Sequence, residues 1–330
     1  MDAAAIALPG MDDVCAAARR LAGIAVTTPL LENAELNGRL GGRILFKAET
    51  LQRTGSFKIR GAYNKIAALD PAKRAGGVVA FSSGNHAQGV AEAARLFGIR
   101  AVIAMPGDAP RVKLDRVRAM GAEIVPFDRF RDDRMTVVRP WLESGMVLVP
   151  PYDDSLIVAG QGTVGLEILD QARAAGAEPD AVVVPCGGGG LTAGVAIAVT
   201  GALPGAEIWG VEPEGFDDTR RSLAEGRRVA NLPGHNSICD ALLTPEPGAV
   251  TFEINRRKIA GVVTVGDDEA VAAVREAMLS LKLVVEPGGA VGLAALLSGK
   301  IPVAGKTVVV VLSGGNVDPA AYARTIGGAA

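Results

Sequence analysis

A-V-V-V-P-C-G-G-G-G-L-T-A-G-V-A-I-A-V, residues 181 to 199, sets a β-branched run, four glycines and an apolar stretch of helical character directly against one another. Strand, glycine turn and helix in that order form the unit from which parallel sheets are built. Gly187, Gly188, Gly189 and Gly190 let successive backbone N–H groups approach an anion with no Cβ in the way, and the helix start adds partial positive charge. Two readings are open, a phosphate cup and a flexible turn. The strand and helix that lock the run on either side favour the cup. No Lys-Ser/Thr pair follows it, and it is not a G-x-G-x-x-G turn with an acidic residue on the next strand end, so bound nucleotide is disfavoured.

The same alternation extends in both directions. Short β-branched runs at 43–49, 77–83, 100–106, 123–128, 146–151, 181–186, 207–213, 262–266 and 307–313 read as strands. Alanine-rich periodic stretches at 84–97, 109–120, 160–174, 190–203 and 267–281 read as helices between them. This pattern predicts an α/β fold of mostly parallel sheets covered by helices on both faces. In such folds ligands gather where strand ends meet helix starts, and three junctions are rich in Gly and small polar residues: S-S-G-N-H (82–86), C-G-G-G-G-L (186–191) and L-S-G-G-N (312–316).

Composition narrows the function. The 330 residues are 49% hydrophobic and 21% charged, a globular balance that suits one enzyme-sized unit or two associated domains. Lys plus Arg (34) nearly cancels Asp plus Glu (36) with no basic patch, so a small-molecule ligand is expected rather than nucleic acid. No apolar run is long enough to span a bilayer and the first residues lack the features of a secretory signal, so no membrane association and a cytoplasmic location are expected. Cys15, Cys186 and Cys239 have no metal-type spacing and read as small hydrophobes in a reducing compartment.

The reactive residue is sought in T-G-S-F-K-I-R-G-A, residues 54 to 62. Lys58 follows Phe57 just inside a helix expected to begin near Ser56, and neighbours that desolvate an amine lower its pKa enough for Schiff-base chemistry. A lone lysine is more often a solvated charge. Its company changes that reading. S-F-K-I-R-G, then S-S-G-N-H-A-Q-G-V-A from Ser82, A-G-Q-G-T-V-G-L-E-I from Ala159, the tetraglycine and L-S-G-G-N at 312 occur in this order. Over residues 13 to 320 the chain thereby resembles the threonine/serine dehydratases and serine racemases that depend on pyridoxal 5'-phosphate (PLP), which share the two-domain tryptophan-synthase-β-like fold, fold type II.

The resemblance implies a large cofactor-binding domain of residues 1–70 and 153–330, a small domain of 71–152, and a homodimer. It implies that Lys58 carries PLP, that Phe57 packs on the ring, that Asn85 bonds the phenolic oxygen and that Gly187 to Gly190 hold the phosphate. Ser313 falls opposite the pyridine nitrogen; a serine there does not keep the ring protonated as a carboxylate would, which suits elimination better than transamination. Ser82, Asn85 and His86 are candidates for the substrate α-carboxylate, His86 without an acid–base role. Ser83 is the candidate proton carrier on the ring face opposite Lys58, a position that would permit racemisation.

The implied reaction converts a small 3-hydroxy amino acid, such as L-threonine or L-serine, to a 2-oxo acid and ammonia. Racemisation of serine and dehydration of 3-hydroxyaspartate are rivals, a β-replacement synthase is more distant, and a non-catalytic PLP-binding protein more distant still. Arg134 bears on the second rival: it either receives a second substrate carboxylate or is a solvated charge in R-F-R-D-D-R. E-P-E-G-F-D-D at 212–218 resembles a divalent-cation site, in which Glu212, Asp218 and the Phe216 carbonyl offer the hard oxygens that Mg²⁺, Mn²⁺ or Ca²⁺ prefers; the other reading is an acidic turn capping a helix. Two departures stand out. Cys239-Asp240-Ala241 replaces the usual A-D-G, so the packing near the cofactor is expected to differ, and the chain ends soon after Ser313, so feedback by isoleucine is not expected.

Overall fold

The computed structural model describes residues 7–82, 84–109, 111–128 and 131–327. Ten strands form two sheets: β1 (Leu30–Glu32), β2 (Arg43–Ala48), β3 (Val78–Phe81), β4 (Ala101–Pro106), β5 (Glu123–Phe127), β6 (Val147–Leu148), β7 (Ala181–Pro185), β8 (Glu207–Pro213), β9 (Gly261–Val265) and β10 (Thr307–Leu312). The six-stranded sheet runs β1-β2-β10-β7-β8-β9 and the four-stranded sheet β5-β4-β3-β6. Every pairing is parallel except β1 with β2. All nine expected strands are present. β1 was not expected, because three residues show no periodicity. β6 is two residues rather than the run 146–151, because Pro150 and Pro151 have no N–H to give a ladder.

Parallel strands need covering on both faces, and the alternation of side chains supplies it. On one face of the larger sheet Leu45, Val182, Val184, Val309 and Val311 pack with Val164 and Ile168 of helix Ser155–Ala174 and with Val195 and Val199 of helix Gly190–Ala202. Their neighbours Ile44, Phe46, Val183, Val308 and Val310 face the opposite way, onto helices Asp267–Glu276 and Pro287–Leu297. In the smaller sheet Val78, Ala80, Ile103 and Met105 pack on helix Asn85–Phe97 and on Ile59, Ala62 and Ile66 of helix Lys58–Ala67.

Helix Lys58–Ala67 is thus greased toward one sheet and charged toward the other. Arg60 is buried, and its guanidinium forks onto Glu49 (2.8 and 2.8 Å) at the end of β2 and onto Glu167 (2.6 and 2.9 Å) of helix Ser155–Ala174. Thr28 Oγ1 donates to Glu49 at 2.5 Å. Lys47, also fully buried, gives its Nζ hydrogens to Glu167 (2.6 Å), Gln171 (2.8 Å) and the Thr28 carbonyl (2.6 Å). Burial by itself would raise the Glu49 carboxyl, but the charge and hydrogen bonds of Arg60 overcome this and hold it below the ordinary value.

Removing one member of such a network leaves an uncompensated buried charge. Arg60→Ala is therefore expected to lose about 3–5 kcal/mol of stability in urea unfolding. Arg95→Ala, which removes a half-exposed partner from Glu92 while Arg53 still pairs with it, is expected to change it much less. Comparable losses for the two variants would refute the network's role.

Candidate active site

The C-terminal ends of the strands of both sheets open on one cavity of about 180 Å³. Phe57, Lys58, Ser82, Asn85, His86, Arg134, Gly187 to Gly190 and Ser313 all line it. Of the other residues expected at a site, Ser83 lies outside the described residues. Glu212, Phe216 and Asp218 do not line this cavity; Glu212 and Asp218 lie near each other elsewhere.

Lys58 is the first residue of its helix, where the backbone turns out of the extended Ser56. Its Nζ donates to the Pro151 carbonyl at 2.8 Å and lies 5.2 Å from the centroid of the Phe57 ring. Burial pushes its pKa down to about 8, against the pull of the Glu286 charge, so roughly a tenth of this amine is neutral and nucleophilic at pH 7, far more than for an ordinary lysine. The Lys58 loop is tied to the Ser313 loop: Phe57 N donates to the Ser313 carbonyl at 3.2 Å, and Ser56 bridges Gly314.

The tetraglycine connects β7 to helix Gly190–Ala202, with Gly189 at φ 85°, a conformation that only glycine adopts freely. Behind the loop, Thr251 Oγ1 donates to the Gly188 carbonyl at 2.6 Å and Asn255 Nδ2 to the Gly189 carbonyl at 3.5 Å. The carbonyls are occupied, while among the described residues the four glycine amides have no partner. A Cβ at Gly188 would enter the Tyr152 ring. A row of free N–H groups at a helix start, beside a desolvated lysine, is the donor set that a phosphate and an aldehyde on one small molecule require.

On the other wall, His86 Nε2 lies 2.8 Å from the Val149 carbonyl, which fixes that nitrogen as the donor. Burial, then the Lys58 charge, hold the imidazole down to about 3, so it is neutral. Arg134 opens helix Arg134–Glu143 with its guanidinium 5.9 Å from the Phe81 ring centroid. Its charge reaches into the cavity, where burial raises the Tyr152 hydroxyl and Arg134 pulls it back.

Tyr152, Lys113 and Glu286 also line the cavity and stand in none of the motifs quoted above. Lys113 pairs with Asp240 across it. Glu286 accepts from Asn85 and is pushed up to about 7, first by burial and then by Asp240. A local signal for Glu286 does exist: it is the single charge in L-V-V-E-P-G-G-A, 283 to 290, ahead of a proline at a helix start.

In the second cluster Glu212 accepts from the backbone N–H of Thr219 (2.9 Å) and of Arg220 (3.0 Å), so it caps helix Asp218–Glu225. Asp218 accepts from Asn231 at 2.7 Å, but its Oδ2 is buried with no partner among the described residues. Burial, then the neighbouring Asp218 charge, push Glu212 up to about 8, and burial pushes Asp218 up to about 7. The described residues hold no group of three or more His, Cys, Asp and Glu arranged for a metal. Any cation here would rest on two carboxylates, with the rest of its shell supplied by other oxygens such as water.

Comparison with known proteins agrees with the donor set. The family described as pyridoxal-phosphate dependent enzyme matches residues 22–314. The chain belongs to that family. As a pyridoxal-phosphate dependent enzyme, it takes PLP as its cofactor. It is 41% identical over 322 residues to L-threo-3-hydroxyaspartate ammonia-lyase of Saccharomyces cerevisiae, covering 97% of each chain. Among solved structures it is similar to a threonine deaminase from T.th., at 45% identity and a TM-score of 0.89 with 94% of this chain and 99% of that chain covered. Maize serine racemase gives 37% identity and a TM-score of 0.91, covering 97% of each.

Borohydride reduction of the holoprotein and peptide mapping should place the pyridoxyl label on Lys58, and capture of PLP by the apoprotein should accelerate as pH rises through about 8. Lys47 and Lys65 are already engaged, with Glu167 and Asp154. A label on either of them would overturn the assignment.

Proposed function

We propose that this enzyme is an ammonia-lyase for small 3-hydroxy amino acids, and that 3-hydroxyaspartate is its preferred substrate. Bound PLP supplies an electron sink for the substrate's α-carbon. The protein's part is binding and proton movement. The backbone N–H groups at the start of helix Asn85–Phe97, which has no side-chain cap among the described residues, receive the α-carboxylate together with Ser82. Lys58 Nζ, with its lowered pKa, takes the α-proton. The glycine amides would hold the phosphate of bound PLP, and Phe57 and Ser313 would flank its ring.

The observation that carries the substrate reading is the position of Arg134 on the wall of the same cavity as Lys58. A guanidinium there can pair with a second carboxylate through two parallel hydrogen bonds. The relatives named for 3-hydroxyaspartate support it, in yeast and in Pseudomonas sp. L-Threonine and L-serine suit the same machinery but leave Arg134 without a partner in the substrate.

A divalent cation at Glu212, Asp218 and the Phe216 carbonyl belongs to this proposal, supported by the orphaned Asp218 Oδ2 and the mutual repulsion of the two buried carboxylates. Exhaustive chelation is expected to lower the melting temperature, and Mg²⁺ or Mn²⁺ to restore it, because a ligand that binds only the native state stabilises by mass action. Identical melting with and without metal would remove the cation.

Formation of 2-oxo acid from L-threo-3-hydroxyaspartate, L-threonine and L-serine tests the main reading, with the first expected to have the highest kcat/KM. Arg134→Ala is expected to lower that value by roughly 30-fold or more, the loss typical of one partner of a hydrogen-bonded charge pair, and to spare threonine. Equal effects on both substrates would return Arg134 to solvent, and no 2-oxo acid from any of the three would end the ammonia-lyase reading.

A further inference from the structure

Asn316, in the L-S-G-G-N motif, has been given no role so far. It lies in the loop after β10 and joins two sides of the cleft. Arg116, on helix Arg111–Ala119 beside the four-stranded sheet, donates from Nη1 to Asn316 Oδ1 at 3.0 Å. Asn316 Nδ2 donates to the Thr54 carbonyl at 2.7 Å and to Asn85 Oδ1 at 2.9 Å. Asn85 Nδ2 in turn donates to Glu286 Oε1.

The two ends of a carboxamide are alike in shape, so its orientation follows from its partners. Arg116 can only donate and the Thr54 carbonyl can only accept, so Asn316 must turn its oxygen to the arginine and its NH₂ to Thr54 and Asn85. Asn85 is then obliged to accept on Oδ1 and to present its NH₂ to Glu286, leaving one N–H of that group. The polarity of the chain is set from the Arg116 end, whatever the protonation of Glu286.

The surrounding backbone is built around this chain. Thr54, a β-branched residue, is held at φ 68°, a costly left-handed conformation. Gly55 follows at φ +72°, and a Cβ there would lie 2.7 Å from Asn316 Oδ1. A Cβ at Gly314 would strike the Glu286 carboxylate. Three strained or side-chain-free positions thus make room for one row of hydrogen bonds.

We propose that Asn316, braced by Arg116 from across the cleft, is a positioning residue that locks Asn85 as a hydrogen-bond donor toward the cofactor. The inference rests on PLP as the cofactor and on no particular substrate. The PLP phenolic oxygen neighbours the aldehyde carbon that Lys58 must reach. Asn85 stands near that end of the cavity, since its helix packs on Lys58 with the Cβ position of Gly89 at 3.0 Å from the Lys58 carbonyl carbon. An Asn85 that can only donate favours the ionised oxygen over the phenol. Other charges that bear on this corner are Lys58 on its own helix, Lys113 and Arg116 on helix Arg111–Ala119, Asp240, and Glu286; His86, beside Asn85, is neutral.

The test uses holoenzyme at full cofactor occupancy without substrate, comparing the longer-wavelength absorption of the ionised form of bound PLP with the shorter-wavelength absorption of the phenol form across the neutral pH range. In Asn316→Asp the carboxylate keeps Arg116 but cannot donate to Asn85, and the ratio is expected to move about tenfold toward the phenol form, the worth of one hydrogen bond to a charged group. Arg116→Met, at an exposed position, should move it the same way by less, with the apoprotein melting temperature unchanged. An unchanged ratio in Asn316→Asp overturns the proposal. If that variant does not fold, an unchanged ratio in Arg116→Met overturns it. Because no substrate is present, failure of the ammonia-lyase reading would leave this result standing.

Discussion

A guanidinium buried between two carboxylates, two residues beyond the desolvated Lys58, is the constraint on which the site depends. Arg60 cannot leave the Glu49 and Glu167 oxygens without stranding charge in the interior, so helix Lys58–Ala67 cannot slide or rotate along the larger sheet. The opposite side of that helix carries Ile59, Ala62 and Ile66 into the core of the smaller sheet. One short helix is thereby pinned by charge on one side and by packing on the other. Lys58, at its first position, is held at the seam where the two sheets meet, and its amine is kept in a poorly solvated place that favours the neutral form. The network is costly to desolvate and gains little net stability over a hydrophobic equivalent. What it provides is a fixed position for the reactive amine.

The rest of the cavity follows from parallel topology. Every parallel strand delivers its C-terminal end to the same edge of its sheet, and the loops leaving β2, β3, β7 and β10 carry Lys58, Asn85, the tetraglycine and Ser313 to one place from positions far apart in the chain. Prolines 150 and 151 contribute in a less obvious way. By ending β6 early they take the Pro151 carbonyl out of the sheet ladder, and that carbonyl is the one that holds Lys58 Nζ.

How much of this was legible in the sequence depends on the range of the interaction. The nine expected strands are local patterns of β-branched residues, and all nine formed. The glycine run, Lys58 and Ser313 are punctuated by local signals as well, and they meet at the cavity. Arg134 is the intermediate case: R-F-R-D-D-R reads more readily as a solvated run, and only the fold of helix Arg134–Glu143 over Phe81 brings its guanidinium to the cavity. Glu286, Lys113 and Asn316 act through partners 127 to 231 residues away, at Asn85 and Asp240, and no spacing rule reaches that far. Glu212 shows how two readings of one motif can hold together. It caps a helix, as an acidic turn should, and it still faces a second carboxylate with an unpartnered oxygen.

Charge balance ties the substrate reading to the fold. The described residues place Lys58, Lys113 and Arg134 on the cavity against the carboxylates Asp240 and Glu286. Lys113 is taken by Asp240, and Glu286 is partly neutralised by its raised pKa. In the proposed cup the neutral glycine amides would answer the PLP phosphate and consume no cation. Among the described residues, Arg134 is therefore a cation on the wall that no carboxylate pairs with. Under the proposed substrate reading, an α-carboxylate alone engages the start of the Asn85 helix and leaves that charge unused. In the proposed reading a second carboxylate on the β-carbon completes the balance, paired with the exposed Arg134 guanidinium through two parallel hydrogen bonds. Discrimination between 3-hydroxyaspartate and threonine then needs no change in the groups around Lys58, only a cation held on the opposite wall by a helix of the smaller sheet.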